Sequence, residues 1–214
     1  MMTVQKLFVY GARGHGKVVA DILLARKEPH LAGFIDDNDQ LQGATILGLP
    51  VCGNGQWLQQ EAGKARVAVA LGIGDNLARQ RAAEKCVAWG AELATLVHPG
   101  ASVSASAQLG PGSVVMAQAA INPNAKIGRG AIVNTAASID HDVELGDFAH
   151  VAPNAAMGGA SRLGTLSLVG MGAVIIQCIS IGARSIVGAG AVVVSDVPDG
   201  VVAFGVPARI QRGA

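Results

Sequence analysis

The sequence predicts two joined folds: an α/β amino-terminal region with a Rossmann-like parallel sheet over residues 1–95, and an all-β parallel helix of hexapeptide repeats over residues 96–214. Two observations carry this. From Val97 to Val193 an aliphatic residue recurs every six positions without a slip. Ahead of it, short apolar runs alternate with helical stretches, an order that yields a parallel sheet covered by helices. Composition agrees, since 214 residues that are 50% hydrophobic but only 3% aromatic must fill their core with small aliphatics.

In the first region Lys6 to Tyr10 reads as a buried strand, followed by the turn Gly11-Ala12-Arg13-Gly14-His15-Gly16-Lys17 and an apolar helix from Val18 to about Arg26. Leu31 to Ile35 forms a second strand that ends in Asp36-Asp37. Further strands are expected at Thr45 to Leu47, Val67 to Leu71 and Glu92 to Leu96, with a helix from Asn76 to Trp89. Ligands of such sheets bind at the carboxyl ends of the strands.

The turn fits G-x-x-x-x-G-K, but Val18 stands where a P-loop needs Ser or Thr for magnesium, and Gly11, Gly14 and Gly16 depart from G-x-G-x-x-G. What remains is general chemistry. Helix-start amides within the turn, with Ala12, Arg13, Gly14, His15 and Lys17 as the candidate residues, suit a diphosphate. Asp36 and Asp37 are placed to accept hydrogen bonds from a ribose or a base edge, and two adjacent carboxylates match guanine's two N–H donors better than they match uracil. The loop Gly72-Ile73-Gly74-Asp75-Asn76, after another strand, is expected to close the same pocket through Gly72 and Gly74.

In the second region all seventeen positions of the six-residue register are aliphatic, and two residues before them, from Val103 onward, fourteen of sixteen positions are small, Val143 and Ile179 excepted. Neither a helix of period 3.6 nor a strand of period 2 demands this. A solenoid does, with three short strands and three turns of about 18 residues making one triangular coil. The glycines that follow the aliphatics, such as Gly110, Gly128 and Gly146, are expected at corners that need unusual backbone angles, together with Asn122, Asn134 and Asp140.

A net charge of +1 without a basic cluster, and few aromatics, exclude the footprint of a nucleic-acid binder. Cys52, Cys86 and Cys178 lack disulfide or zinc spacing. Met1 to Lys6 shows no leader-like pattern and no apolar run is long enough to span a membrane, so the expectation is a cytoplasmic protein.

The unbroken repeat resembles the hexapeptide-repeat acyltransferases, which implies the left-handed form of the β-helix and a homotrimer; the lack of a slip implies that no long loop covers the acyl donor. With His15-Gly16-Lys17 and the acidic pair added, the whole chain resembles the family of sialic-acid O-acetyltransferases and bacillosamine-type nucleotide-sugar N-acetyltransferases. The resemblance implies an amino-terminal domain that holds a nucleotide-linked sugar, a β-helix that holds acetyl-CoA between neighbouring subunits, no metal, and a place in surface-polysaccharide biosynthesis. The implied acceptor is a 4-amino-4,6-dideoxy sugar, GDP-perosamine before a UDP-linked 4-amino sugar.

Within Asn134 to Asp142, His141 lies just past a corner and is flanked by acids, which makes it the candidate general base for proton removal as an amine attacks a thioester. The family's acid after its catalytic histidine is commonly Glu and here is Asp142; its shorter arm leaves Asp140 as the alternative orienter. One coil of 18 residues beyond His141 falls Gly159, the candidate for close thioester approach and for an oxyanion N–H. The resemblance further implies acetyl-CoA contacts at His150, Met171, Arg184 and Ala189, with the closing Gly205-Val206-Pro207-Ala208-Arg209 as a tail over the CoA end. O-acetylation uses the same base and stays open. Two other functions are weighed: a γ-class carbonic anhydrase, for which His98, His141 and His150 lack the expected spacing, and a non-catalytic scaffold.

Overall fold

The computed structural model describes residues 5–213, so the leader reading of residues 1–4 lies outside the described residues. The chain divides into two compact units, Met1–Leu96 and Val97–Ala214.

The first unit is a Rossmann-like α/β layer. Its elements are β1 (Lys6–Tyr10), α1 (Gly14–Ala25), β2 (Leu31–Ile35), β3 (Thr45–Ile46), β4 (Leu49–Gly53), α2 (Gly55–Ala62), β5 (Val67–Leu71), α3 (Asn76–Ala88) and β6 (Glu92–Leu93). Among the described residues the sheet order is β3-β4-β2-β1-β5-β6, with β1 central and parallel to both β2 and β5. Central strands buried on both faces read as continuous apolar runs, and Val67–Leu71 is buried at all five positions.

Several elements differ from the sequence reading, and the strand expected over Glu92 to Leu96 is two short strands, Glu92–Leu93 and Leu96–Val97, in different sheets. Helix α1 begins at Gly14 rather than Val18, because the glycines are needed for packing and not for a longer turn. A Cβ on Gly16 would collide with the Gly11 carbonyl, and one on Gly72 would stand 2.8 Å from the Cα of Gly16, so strand ends and helix meet backbone to backbone. The β4–α2 pair was not read at all. Pro50 interrupts the strand pattern, and α2 buries only Gly55 and Leu58, so neither shows a strong period. Its start is nonetheless specified locally, since the Asn54 side chain accepts from Trp57 N–H at 3.1 Å.

The second unit is a left-handed parallel β-helix. Two-residue strands run from Leu96–Val97 to Val192–Val193, and the second residue of each is the register aliphatic. Strands pair in parallel at an offset of one coil, as in Ser138↔Ala156 and Ile139↔Met157. Backbone hydrogen bonds therefore run from each coil to the next, and the register residues stack inward with Ala119, Ala125, Ala131 and Ala137 in the tight places between them. The open end closes with a hairpin: Val201–Gly205 pairs with the strand Ile186–Val187 and then with Ala208–Gly213.

The corner glycines are a correction. From Leu109 to Val187 positive φ falls three residues after each aliphatic, at Gln118, Asn124, Ala136, Asp142, Phe148, Asn154 and Arg184 among others, and mostly without glycine. Gly110, Gly128, Gly146 and Gly164 do not share it; they form a column in which coils approach too closely for a side chain. A Cβ on Gly128 would stand 2.6 Å from the backbone nitrogen of Asp147. Gly128→Ala is therefore expected to cost about 1–3 kcal/mol by overpacking, read as a lower midpoint in thermal or denaturant unfolding, and an unchanged midpoint would contradict the column.

Candidate functional site

In the first unit a cavity of about 430 Å³ is lined by Tyr10, Gly11, Arg13, His15, Asp36, Asp37, Gly72, Ile73 and Gly74, residues that end β1, follow β1, β2 or β5, or lie at the start of α1. This is the strand-end position at which such sheets bind ligands. Three expected residues are placed otherwise. Ala12 is buried and gives its N–H to Asp36 Oδ2 at 2.8 Å, Lys17 is exposed and outside the lining, and Gly14 opens the helix beside it.

The acidic pair divides its work. Asp36 is buried at the cavity wall, and its oxygens accept from Ala12 N–H at 2.8 Å and from Asn38 N–H at 2.9 Å, so it ties the glycine turn to the end of β2. Asp37 is exposed; it accepts from Tyr10 OH at 2.8 Å and from Gly55 N–H at 2.8 Å, and carboxylate lone pairs remain for a ligand's N–H donors. Burial, with Arg79 as a second influence, pushes His15 down to about 4, which keeps the imidazole neutral at neutral pH.

Arg79 was missed by the sequence reading. It is fully buried and donates through Nη1 to the carbonyls of Ile73 and Gly74, at 3.1 and 2.9 Å, and through Nη2 to Asn76 Oδ1 at 2.8 Å. It thus holds the second glycine loop from behind. The signal was legible: Arg79, Ala82, Ala83 and Cys86 are the buried positions of α3, at the spacing of an inward face, and one of them is a cation.

In the second unit His141, Asp142 and Gly159 come together at one corner. His141 Nδ1 lies 2.8 Å from Asp142 Oδ2. Since a carboxylate only accepts, Nδ1 carries the proton and Nε2 is left with a lone pair in the neutral ring. Asp142 is thus the acid that touches the ring, despite its short arm. Asp140 serves the backbone instead: its Oδ1 accepts from His141 N–H at 2.8 Å. The hydrogen bond that His141 donates to Asp142, then the charge of Asp140, hold the His141 pKa above its ordinary value.

Gly159 sits one coil away, and a Cβ there would stand 2.7 Å from both Cε1 and Nε2 of the ring. Bare backbone is what keeps this edge open. The Gly159 backbone is the smallest of the influences that hold the Asp140 carboxyl below its ordinary value, so an oxyanion that took its N–H would share it with that carboxylate. Asparagines one coil earlier, which the sequence reading treated only as corner residues or passed over, support both acids: Asn122 Nδ2 donates to Asp140 at 3.0 Å and Asn124 Nδ2 to Asp142 at 3.2 Å.

The other expected residues lie elsewhere on the solenoid. His150 is in the strand His150–Val151 of a different face, with its Nε2 3.0 Å from Asn134 Nδ2. Met171 and Ala189, 18 residues apart, share the corner that follows that face, and both are exposed. Arg184 projects from the third corner, exposed and at φ 54°. One chain therefore does not gather these four around His141. Among the described residues no cluster of three or more His, Cys, Asp or Glu side chains is placed to hold a metal, and no helix is long and apolar enough to cross a membrane.

Residues 6–86 match the family described as the PglD N-terminal domain. Over 122 residues the chain is 36% identical to UDP-N-acetylbacillosamine N-acetyltransferase of Bacillus subtilis (strain 168), a match that spans 53% of this chain and about half, 52%, of that relative. Two solved structures are similar over nearly the whole length. A mutant of perosamine N-acetyltransferase from Caulobacter crescentus, in complex with CoA and GDP-perosamine, is 39% identical with a TM-score of 0.92 and 98% of each chain covered. The acetyltransferase domain of PglB from Neisseria gonorrhoeae FA1090, in complex with acetyl coenzyme A, is 39% identical with a TM-score of 0.90, covering 98% of this chain and 100% of that one.

The pKa values of His141 and His15 are displaced in opposite directions from that of an ordinary histidine. Followed by NMR, His141 is expected to titrate above an ordinary histidine and His15 near 4. Replacement Asp142→Asn removes the largest influence that favours the imidazolium, so the His141 pKa falls; a midpoint that stays put would refute the Asp142 contact.

Proposed function

The chain belongs to the family of perosamine N-acetyltransferase and the PglB acetyltransferase domain, and from that premise we propose that it transfers the acetyl group of acetyl-CoA to the amine of a nucleotide-linked amino-deoxy sugar. The observation that carries the proposal is the His141 ring, bound at Nδ1 by Asp142 and facing bare Gly159 with Nε2.

In this reading Nε2 removes the proton from the sugar amine as its nitrogen attacks the thioester carbonyl, and the proton then passes to the departing sulfur, so one histidine serves both halves of a direct transfer. Asp142 stabilises the imidazolium that forms between them. Gly159 leaves room for the acetyl group at the ring edge, and its N–H is the proposed oxyanion donor, shared with Asp140. Acetyl-CoA supplies the activated acetyl group. His150, Met171, Ala189 and Arg184 are proposed to contact it, and because they lie away from the His141 corner, the proposal sets the donor between neighbouring copies of a homotrimer.

The first unit is proposed as the nucleotide-sugar domain, with Arg13 and the glycine turn at the diphosphate and Asp37 at the base. GDP-perosamine is the proposed acceptor ahead of UDP-linked 4-amino sugars. Asp37 offers carboxylate oxygens to guanine's N–H groups, and the Caulobacter relative was solved with that sugar nucleotide. The proposed setting is the cytoplasm, with the acetamido sugar destined for surface glycans.

His141→Asn is expected to lower acetyl transfer by about 100-fold or more while calorimetry still detects binding of CoA and of the amino-sugar nucleotide. Turnover near the unmodified rate in that variant would sink the assignment. Parallel assays with GDP-, UDP- and dTDP-linked amino sugars identify the acceptor, and preference for a UDP sugar would overturn the choice of base.

A further inference from the structure

The acid that serves His141 is itself held from the preceding coil. Asp142 Oδ2 meets His141 Nδ1, and its other oxygen, Oδ1, accepts from Asn124 Nδ2 at 3.2 Å. Asn124 and Asp142 are 18 residues apart and occupy the same corner column, at φ of 63° and 59°. In that conformation asparagine combines a tolerated backbone with a side chain that donates. Asn124 is anchored in turn, because its N–H donates to Ser106 Oγ at 3.1 Å, one coil earlier again. A parallel row runs from Asn122 to Asp140 and on to the backbone N–H of His141. One row thus ends on the ring and the other on the main chain.

We propose that Asn124 is a positioning residue for acetyl transfer: by donating to Asp142 it keeps that carboxylate turned toward Nδ1 and so holds the neutral ring of His141 in the tautomer with a bare Nε2. This rests on the reading of His141 as the base. The need for a second donor follows from exposure. The side chains of His141 and Asp142 are 59% and 53% exposed, and a single contact between two such groups competes poorly with water. Asp140 and Asp142 are the charged groups that face the ring. When Asp142 is free to turn away, the stronger support of the imidazolium goes with it.

The test is Asn124→Gly, which keeps the left-handed backbone without strain and removes the amide. It is read by the pH profile of kcat and by ¹⁵N NMR of the His141 ring. The expected result is a kcat lower by about tenfold, an acid limb displaced to lower pH, and a mixture of Nδ1–H and Nε2–H tautomers. KM for both substrates should stay within about twofold, since no substrate contact is removed. A variant that keeps the original acid limb and a single Nδ1–H tautomer overturns the proposal whatever its rate. If the unmodified protein acetylates no amino-sugar nucleotide, the reading of the reaction fails separately, and the tautomer measurement still decides the role of Asn124.

Discussion

The constraint on which the second unit depends is the one-coil hydrogen bond, in which the two-residue strands of successive coils pair in parallel through residues 18 apart. It forces each side chain to sit over its copy in the coils before and after. Interior positions must then fit a column of fixed width, which is why alanine and serine alternate with single aliphatics. Where coils come closest the column admits no side chain at all, as at Gly110, Gly128, Gly146 and Gly164. The same stacking turns a corner into a place where chemistry can be lined up: Asn124, Asp142 and the ring of His141 over Gly159 are consecutive consequences of one repeat.

The first unit reaches its site by a related device. Gly11, Gly16 and Gly72 bring two strand ends and a helix start into backbone contact. The turn is then fastened by Asp36, and the opposite loop by Arg79. Both are buried charged groups whose cost is offset by hydrogen bonds to main-chain atoms. They free the neighbouring Arg13, His15 and Asp37 to line the cavity.

Legibility followed the strength of the local signal. The hexapeptide register was readable because each aliphatic is required by its neighbours on both sides, and the central strands because they are buried on both faces. Helix α1 was begun too late, since glycine disfavours helices unless close packing demands it. Strand β4 and helix α2 were passed over because Pro50 and a polar composition hide them. The corner glycines were found and given the wrong reason: contact between coils, not backbone angle, requires them.

The sequence by itself determined the two-part architecture, the 18-residue coil and the alignment of His141 with Gly159, all of which follow from periodicity along the chain. Only the tertiary structure decided which of two acids touches the ring, that Asp36 is bound to the turn while Asp37 stays exposed, and that a buried arginine stands behind the second loop. Sequence spacing fixes where a residue stands on the coil or strand. Which way a short carboxylate turns depends on donors supplied by other coils and strands, and these meet only after folding.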